Sequence, residues 1–287
     1  MKKSRGTKKD IYEGITNNII TALDKGTIPW HKPWIGGPPA NYTSDKAYRG
    51  INVLQLEVAQ LGAGYESNHW LTFKQAKNAG GSVKAGEKGT PIIFWKFFTK
   101  ETKDEVSGEM VKESIPMARG YTVFNTLQCS GIKAKEKPGG VIDSIEAAEC
   151  LVSGFGGPPG ITHAGGRAFY SPGSDSVTMP VRNSFDSSES YYSTLFHELT
   201  HSTGHATRLD RNLKNKFGDD KYSNEELIAE LGAAFLMGLT GGELIAKTLD
   251  NSAAYIAHWR SKLSEDSGLI VKASSAAQKA ADYITRG

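Results

Sequence analysis

Residues 195–205 of this 287-residue chain read LFHELTHSTGH, with two histidines four positions apart and a glutamate directly after the first. A helix turns about 100° per residue, so His197 and His201 should lie one turn apart on one face, with Glu198 beside them. Two imidazoles placed in this way can hold Zn²⁺ while the carboxylate takes a proton from a water molecule that the metal activates. The stretch therefore predicts a helix carrying a metal-dependent peptidase site, with His197 and His201 as metal ligands and Glu198 as the catalytic base.

A catalytic zinc ion usually has three protein ligands, and the sequence offers three candidates for the third. His205 follows Gly204, which should end the helix, so a carboxylate is favoured. Glu226 is preferred by analogy with the E-x-x-x-D order of gluzincin peptidases, in which Glu230 would hydrogen-bond a ligand histidine. The alternative is that Ser223 and Glu226 form only a capping box, in which case Glu230 is the ligand.

Charge divides the chain into two parts. Residues 1–137 carry 21 Lys and Arg against 13 Asp and Glu, a balance of +8, whereas residues 138–287 carry 13 against 18, a balance of −5. A basic half joined to an acidic half suggests two tasks, of which the basic one involves a polyanion. Cys129 and Cys150 stand in no metal-binding or redox spacing, which favours reduced thiols in a cytoplasmic protein.

The pattern of helices and strands predicts an α+β protein of two domains. Residues 1–10 are interpreted as a disordered basic tail, 11–130 as a small α/β nucleic-acid-binding domain, 131–140 as a linker, and 141–287 as a zincin-like metallopeptidase domain. The linker is placed at SGIKAKEKPGG, which is charged and then rich in proline and glycine. No apolar stretch is long enough to span a bilayer, so no membrane contact is expected.

Two strands and a hairpin are predicted in addition to the helices. PIIFWKFFTK and ARGYTVFNTLQCSG should form an antiparallel pair, and the polar segment 99–116 between them is interpreted as a loop. GGRAFYSPGSDSVTMP reads as a hairpin around an SPGSD turn, whose edge could hold a substrate strand or could simply pack beneath the metal-binding helix.

Four of the five tryptophans lie in the basic half, interleaved with lysine and arginine. Aromatic faces can stack on exposed bases while cations neutralise phosphates, which favours single-stranded DNA over duplex, whose base faces are hidden. The alternative is that these aromatic residues fill the core. The predicted nucleic-acid contacts are Trp30, Lys32, Trp34, Tyr48, Arg49, Trp70, Lys74, Lys84, Lys88 and Trp95.

Several segments together resemble ArdC-type antirestriction proteins. The N-terminal domain of that family is similar to DIYEGITNNIITALDKGTIPWHKPW, YRGINVLQL, WLTFKQAKNAGGSVKAGEKGTPIIFW and YTVFNTLQC, and its metallopeptidase domain is similar to HELTHSTGHATRLDR and EELIAELGAAFL. The resemblance covers nearly the whole chain and keeps the order of the motifs. It maps His197 and His201 onto metal ligands and Glu198 onto the general base, and it implies a zincin fold similar to SprT and Spartan proteases.

The resemblance also implies a plasmid-encoded protein that binds single-stranded DNA and protects incoming DNA from host restriction during conjugation. Zn²⁺ is the expected cofactor, with Mn²⁺ as a possible substitute, and the protein substrate, which could itself be bound to DNA, is not identified. The competing hypothesis is a single-stranded DNA-binding protein that protects by occupancy alone, with a structural or inactive metal site.

Overall fold

The computed structural model describes residues 8–30, 37–103, 110–133, 135, 144–211, 213, 220–241 and 253–286. Within these ranges the chain is α+β, as the sequence predicts. The helices are α1 Lys8–Asp24, α2 Ile51–Ala63, α3 Phe73–Asn78, α4 Ser144–Ser153, α5 Ser188–Ser202, α6 Asp220–Thr240, α7 Ala253–Glu265 and α8 Leu269–Thr285. The strands are β1 Ala40–Asn41, β2 His69–Thr72, β3 Ser82–Val83, β4 Thr90–Lys103, β5 Met110–Asn125, β6 Cys129–Ser130, β7 Gly160–His163, β8 Phe169–Ser171 and β9 Ser176–Met179.

The N-terminal half is built on a sheet with the strand order β1-β2-β5-β4. β1 is parallel to β2, whereas β5 runs antiparallel to both of its neighbours. Helix α2 contacts β4, and the side chain of Asn52 exchanges two hydrogen bonds of 2.7 and 2.8 Å with the backbone of Ile93. Gly64 ends α2 with a φ of 67°, a left-handed conformation that glycine adopts without steric cost.

The hairpin of β4 and β5 is longer than the sequence predicts. Its pairing continues from Thr90 opposite Val123 to Lys103 opposite Met110, so most of the segment 99–116 is strand, and the loop interpretation is wrong for its described residues. The segment lacks the apolar alternation that signals a half-buried strand, because its backbone ladder extends beyond the core as a two-stranded ribbon.

The C-terminal half places three strands in the order β7-β9-β8 beside the helix pair α5 and α6. β8 and β9 form the predicted hairpin, and β8 lies at an edge of this described sheet with half of the Phe169 side chain exposed. Ser187 caps α5 by accepting a hydrogen bond from the backbone N–H of Ser190, which fixes where the metal-binding helix begins. Helix α6 already begins at Asp220, so Ser223 lies inside it and the capping-box alternative for Glu226 is excluded.

The two halves share one hydrophobic core. Ile15, Ile19 and Leu23 of α1 are buried in the same cluster as the apolar side chains of α5, α6, α7 and α8. Helix α1 packs against α7, and the Thr16 hydroxyl donates a 2.7 Å hydrogen bond to the carbonyl of Ser267. The predicted linker lies mostly outside the described residues. Among the described helices, none is long and apolar enough to cross a membrane.

Candidate metal centre and nucleic-acid surface

The structure brings His197, His201 and Glu226 together. The Nε2 atoms of the two histidines, on consecutive turns of α5, lie 3.1 Å apart. From α6, the Oε2 atom of Glu226 lies 3.5 Å from His197 Nε2, and its Oε1 atom lies 3.5 Å from His201 Nε2. These are the three groups, among the described residues, whose potential ligand atoms converge on one point.

The separations match the requirements of a tetrahedral metal ion. Ligand atoms bound about 2.0–2.1 Å from zinc in tetrahedral geometry lie about 3.3 Å from one another. The two histidine Nε2 atoms lie 3.1 Å apart, and each lies 3.5 Å from a different oxygen of the Glu226 carboxylate, so all three separations are close to this value. Two imidazole nitrogens and a carboxylate oxygen also suit Zn²⁺ or Mn²⁺ chemically, so the donor set fits a divalent cation.

His201 is oriented by a residue that the sequence analysis missed. Its Nδ1 atom lies 3.3 Å from the Oε1 atom of Glu225, and this contact leaves Nε2 directed towards Glu226 and His197. Arg211 holds Glu225 in turn, with hydrogen bonds of 2.8 Å from Nη2 and 3.1 Å from Nε. Burial raises the pKa of Glu225, but its hydrogen bonds with His201 and Arg211 outweigh burial and lower the pKa overall. An ionised Glu225 therefore fixes the His201 tautomer that can bind a metal.

Glu230, the alternative third ligand, is occupied elsewhere. It is buried, it accepts a 2.8 Å hydrogen bond from the indole Nε1 of Trp30, and it accepts a second, short hydrogen bond from the hydroxyl of Tyr255. His205 lies beyond the end of α5, and its Nδ1 atom is 2.8 Å from the Thr207 hydroxyl. The predicted role of Glu230 as the hydrogen-bond partner of a ligand histidine is wrong for His201, whose partner is Glu225.

Negative charge surrounds the paired histidines. Burial lowers the pKa of His197, but a hydrogen bond with Glu226 and the charges of Glu198, Glu226 and Glu230 outweigh burial and raise it. Glu198 is buried beside His197 on α5, on the flank of the face that carries the two imidazoles. The site therefore attracts a cation and keeps one further carboxylate, Glu198, next to the ligands.

The structure corrects several predicted nucleic-acid contacts. Trp30 and Trp70 are completely buried, so their rings cannot stack on bases, and Tyr48 is only 6% exposed. Trp30 fills the core beneath α6, and Trp70 packs with Tyr48 under the N-terminal sheet. The alternative that these aromatic residues fill the core is right for these three side chains.

The other residues that the sequence predicts to contact nucleic acid are either exposed or outside the described residues. Lys32 and Trp34 lie outside the described residues. Trp95 remains 38% exposed, although its ring makes an edge contact with Tyr12, and Arg49 is exposed beside Asp282. The remaining predicted lysines, Lys74, Lys84 and Lys88, are all exposed.

The hairpin presents an aromatic and basic surface that the sequence analysis did not identify. Alternation along β4, combined with its pairing to β5, places six side chains on the face opposite Trp95. This surface, called the ribbon face, consists of Phe94, Lys96, Phe98, Met117, Arg119 and Tyr121. Phe94 and Phe98 are each 46% exposed and Tyr121 is 37% exposed, so their rings are accessible to a ligand. The signal was present in the every-second-residue pattern of FWKFF, which matters only once the strand is known to extend beyond the core.

Comparison with known proteins gives two separate matches along the chain. Residues 9–124 match the family model for the N-terminal domain of anti-restriction factor ArdC. Residues 146–276 match the family model for a zincin-like metallopeptidase. The chain is therefore a two-domain protein in which an ArdC-type N-terminal domain precedes a zincin-like domain.

Relatives and solved structures agree with this assignment. Two DNA primases named TraC, both of Escherichia coli, are 37% and 38% identical over 96% of this chain, which spans only 27% and 20% of their lengths. An uncharacterised protein of Sinorhizobium fredii, y4eC, is 35% identical over 97% of this chain and 92% of its own length. Crystal structures of ArdC from plasmid R388 match with a TM-score of 0.74 at 40% identity in a metal-free form and 0.75 at 38% identity in a Mn(II)-bound form, and the matches cover at least 95% of both chains. The chain belongs to the ArdC family of antirestriction proteins.

Proposed function

We propose that this protein binds single-stranded DNA, protects incoming plasmid DNA from host restriction, and carries a zinc-dependent peptidase in its C-terminal half. The observation that carries the peptidase proposal is the convergence of His197, His201 and Glu226, with Glu198 next to them on α5. The DNA-binding proposal is supported by the ArdC-type N-terminal domain, the basic balance of residues 1–137 and the exposed rings of the ribbon face. Protection of DNA inside the cell places the protein in the cytoplasm.

The side chains divide the proposed reaction between them. His197, His201 and Glu226 hold the divalent cation, which when bound supplies Lewis-acid chemistry and makes water more acidic. Glu198 accepts the proton of the attacking water and then donates it to the nitrogen of the leaving amine. Glu225 and Arg211 keep His201 in place throughout, because they contact its Nδ1 side and leave Nε2 free for the cation.

A second function uses the same fold without cleavage. The aromatic and basic surface could coat DNA while the metal site is only structural, which would explain protection by occupancy alone. If the protein is a peptidase, a DNA-bound protein is a suitable substrate. If it protects DNA by occupancy alone, no protein substrate is needed.

Replacement of Glu198 by alanine separates the two functions. Because Glu198 is not placed among the ligands, the Glu198→Ala variant should keep stoichiometric zinc or manganese while its hydrolysis of casein falls at least about 100-fold. Metal content is measured by mass spectrometry, and Glu189→Ala, which removes another carboxylate from the same helix, serves as the control. If Glu198→Ala still cleaves casein at the wild-type rate, the assignment of Glu198 as the catalytic base is wrong, and if the wild-type protein does not cleave casein, the peptidase proposal is not supported. If wild-type protein cleaves and the variant still protects plasmid DNA, protection acts by occupancy.

A further inference from the structure

A large cleft separates the two halves on the side of α8. Its cavity volume is about 1070 Å³. The N-terminal half contributes the region around β1, the start of α2 and the middle of β4, and the C-terminal half contributes α8 and the loop that contains Leu209 and Arg211. We propose that single-stranded nucleic acid binds in this cleft and that α8 of the metallopeptidase half supplies phosphate contacts. The inference rests on the DNA binding proposed above and assigns it a place shared by both halves.

Charge in the cleft favours a polyanion. Five cationic side chains line it against one carboxylate, that of Asp282; the cations are Lys46, Arg49, Arg211, Lys272 and Lys279. Among the described residues Lys46 and Lys279, one from each half, form no ion pair, which leaves both ammonium groups available to phosphates. Lys272 pairs with Asp266 at 3.0 Å, but both side chains are more than half exposed, and such a pair is readily exchanged for a phosphate contact.

Aromatic rings lead out of the cleft onto the ribbon face. Tyr48 and Phe94 both line the cleft with their ring centroids 6.4 Å apart, and Phe94 is 5.4 Å from Tyr121. Lys96 and Arg119 flank these rings on the same face of the hairpin. A base can stack on Phe94 or Tyr121 only if the face of the base is free, as it is in a single strand. This row of aromatic side chains therefore favours single-stranded nucleic acid and excludes an intact duplex.

One residue that lines the cleft, Arg211, also belongs to the group of side chains that orients His201 in the candidate metal centre. Arg211 lines the cleft, and its guanidinium also bonds to Glu225, which contacts His201. A nucleic acid in the cleft is therefore two side chains away from a proposed metal ligand. This proximity brings a protein attached to the strand close to the proposed peptidase site.

The test compares paired variants in full-length protein with a fluorescently labelled oligothymidylate as probe. Lys272→Ala/Lys279→Ala removes two positive charges from the α8 wall of the cleft. The control Lys25→Ala/Lys262→Ala removes one charge just after the end of α1 and one from α7, and neither residue lines the cleft. Affinity is measured by anisotropy at several salt concentrations, and thermal melting checks that both variants are folded.

Loss of two phosphate contacts should weaken binding about tenfold at low salt and reduce the slope of log affinity against log salt by about 1.4. The control should retain the wild-type affinity and slope. A folded α8 variant with wild-type affinity and slope would overturn the cleft proposal while leaving DNA binding by the N-terminal half intact. Failure of the wild-type protein to bind the oligonucleotide, or equal affinity for duplex, would instead overturn the DNA-binding function itself.

An aromatic pair of variants tests the path out of the cleft. Phe94→Ala should weaken binding about fivefold or more, because it removes a stacking surface. Phe73→Ala removes a ring on α3 that is 61% exposed but does not line the cleft, and it should have no effect. Equal losses in both variants would contradict a defined path and indicate nonspecific contact.

Discussion

Single residues make up the candidate metal centre, and they differ in how far the sequence could place them. The spacing of His197, Glu198 and His201 was sufficient to place these side chains next to one another, because all three lie on one helix, whose geometry is fixed by its hydrogen bonds. Glu226 could be ranked above Glu230 only by analogy, because the choice depends on the rotation of α6 against α5. Glu225 and Arg211 could not be found at all, since a pair that orients His201 is recognised only after helix and loop have packed.

The third ligand gives a prediction at this scale. Glu226→Gln should lose most of its bound zinc or manganese, because a neutral amide is a poor ligand and leaves only two imidazoles. Glu230→Gln should retain the metal, because Glu230 is directed towards Trp30 and Tyr255. Metal content after dialysis against a weak chelator measures the difference. Retention by Glu226→Gln together with loss by Glu230→Gln would reverse the assignment.

The tryptophans show what residue type alone does not determine. Trp30 and Trp70 stand beside basic residues in the sequence, as a nucleic-acid surface requires, yet both are fully buried. A tryptophan side chain can pack in a hydrophobic core or stack on a nucleic-acid base, so composition alone could not distinguish these two roles. The strand register places Trp70 and Phe94 on the same face of the sheet, and they differ in what covers them. Trp70 is buried in a cluster with Tyr48 and Leu56, whereas Phe94 remains 46% exposed.

At the scale of elements, α2 contains a buried charge that the sequence pattern does not explain. Glu57 is 1% exposed, and its Oε1 atom has no hydrogen-bond partner among the described residues. Burial raises the pKa of its carboxyl from 4.5 to about 7. Between these two pH values the folded state binds more protons than the unfolded state, so the free energy of unfolding falls as pH rises through this window.

Replacement of Glu57 by glutamine should remove this pH dependence. Relative to wild type, Glu57→Gln should gain up to about 3 kcal/mol in the free energy of unfolding between pH 4.5 and pH 8, the energy equivalent of the pKa shift. Urea unfolding at both pH values measures the change, and Glu66→Gln, at an exposed position just after α2, is the control. A pH profile of Glu57→Gln that parallels the wild-type profile would show that the carboxyl ionises normally.

Elements were predicted well where their apolar pattern faced the core. The helices α1 and α5 and the hairpin of β8 and β9 follow their sequence patterns because periodic burial determines both the pattern and the structure. The strands of the outer part of β4 and β5 were not predicted, because they are recognised by the pairing between their backbones and not by an apolar pattern. The ribbon face was therefore not predicted, because it is not evident that Lys96 and Phe98 lie on the same face until the strand that contains them is known.

At the scale of the whole molecule, the two matched domains share one hydrophobic core. The first family match ends at residue 124 and the second begins at residue 146. The hydrophobic core extends across the two matched regions, because Ile15, Ile19 and Leu23 of α1 are buried together with apolar side chains of the C-terminal half. Composition predicted two domains, but the shared core could not be predicted, because contacts between segments distant in sequence leave no periodic signal.

The shared core predicts the behaviour of isolated fragments. A fragment of residues 141–287 should lack a cooperative unfolding transition and should bind the dye ANS, because removal of α1 exposes apolar side chains of α6, α7 and α8. The intact chain should unfold in a single transition without binding the dye. Addition of a fragment of residues 1–133 should restore the transition if the halves reassociate. Cooperative unfolding of the isolated C-terminal fragment at the wild-type midpoint would contradict the shared core.

The hydrogen bond from Trp30 to Glu230 constrains how this architecture can be rearranged by recombination. The indole belongs to the ArdC-type half by sequence, yet it satisfies a carboxylate one helical turn beyond Glu226. A chimera that joins this zincin-like domain to a foreign N-terminal domain would leave that carboxylate buried with one hydrogen-bond donor fewer. Exchange of domains at a point before α4 should therefore destabilise the protein unless residues 8–30 are transferred together with the zincin-like domain.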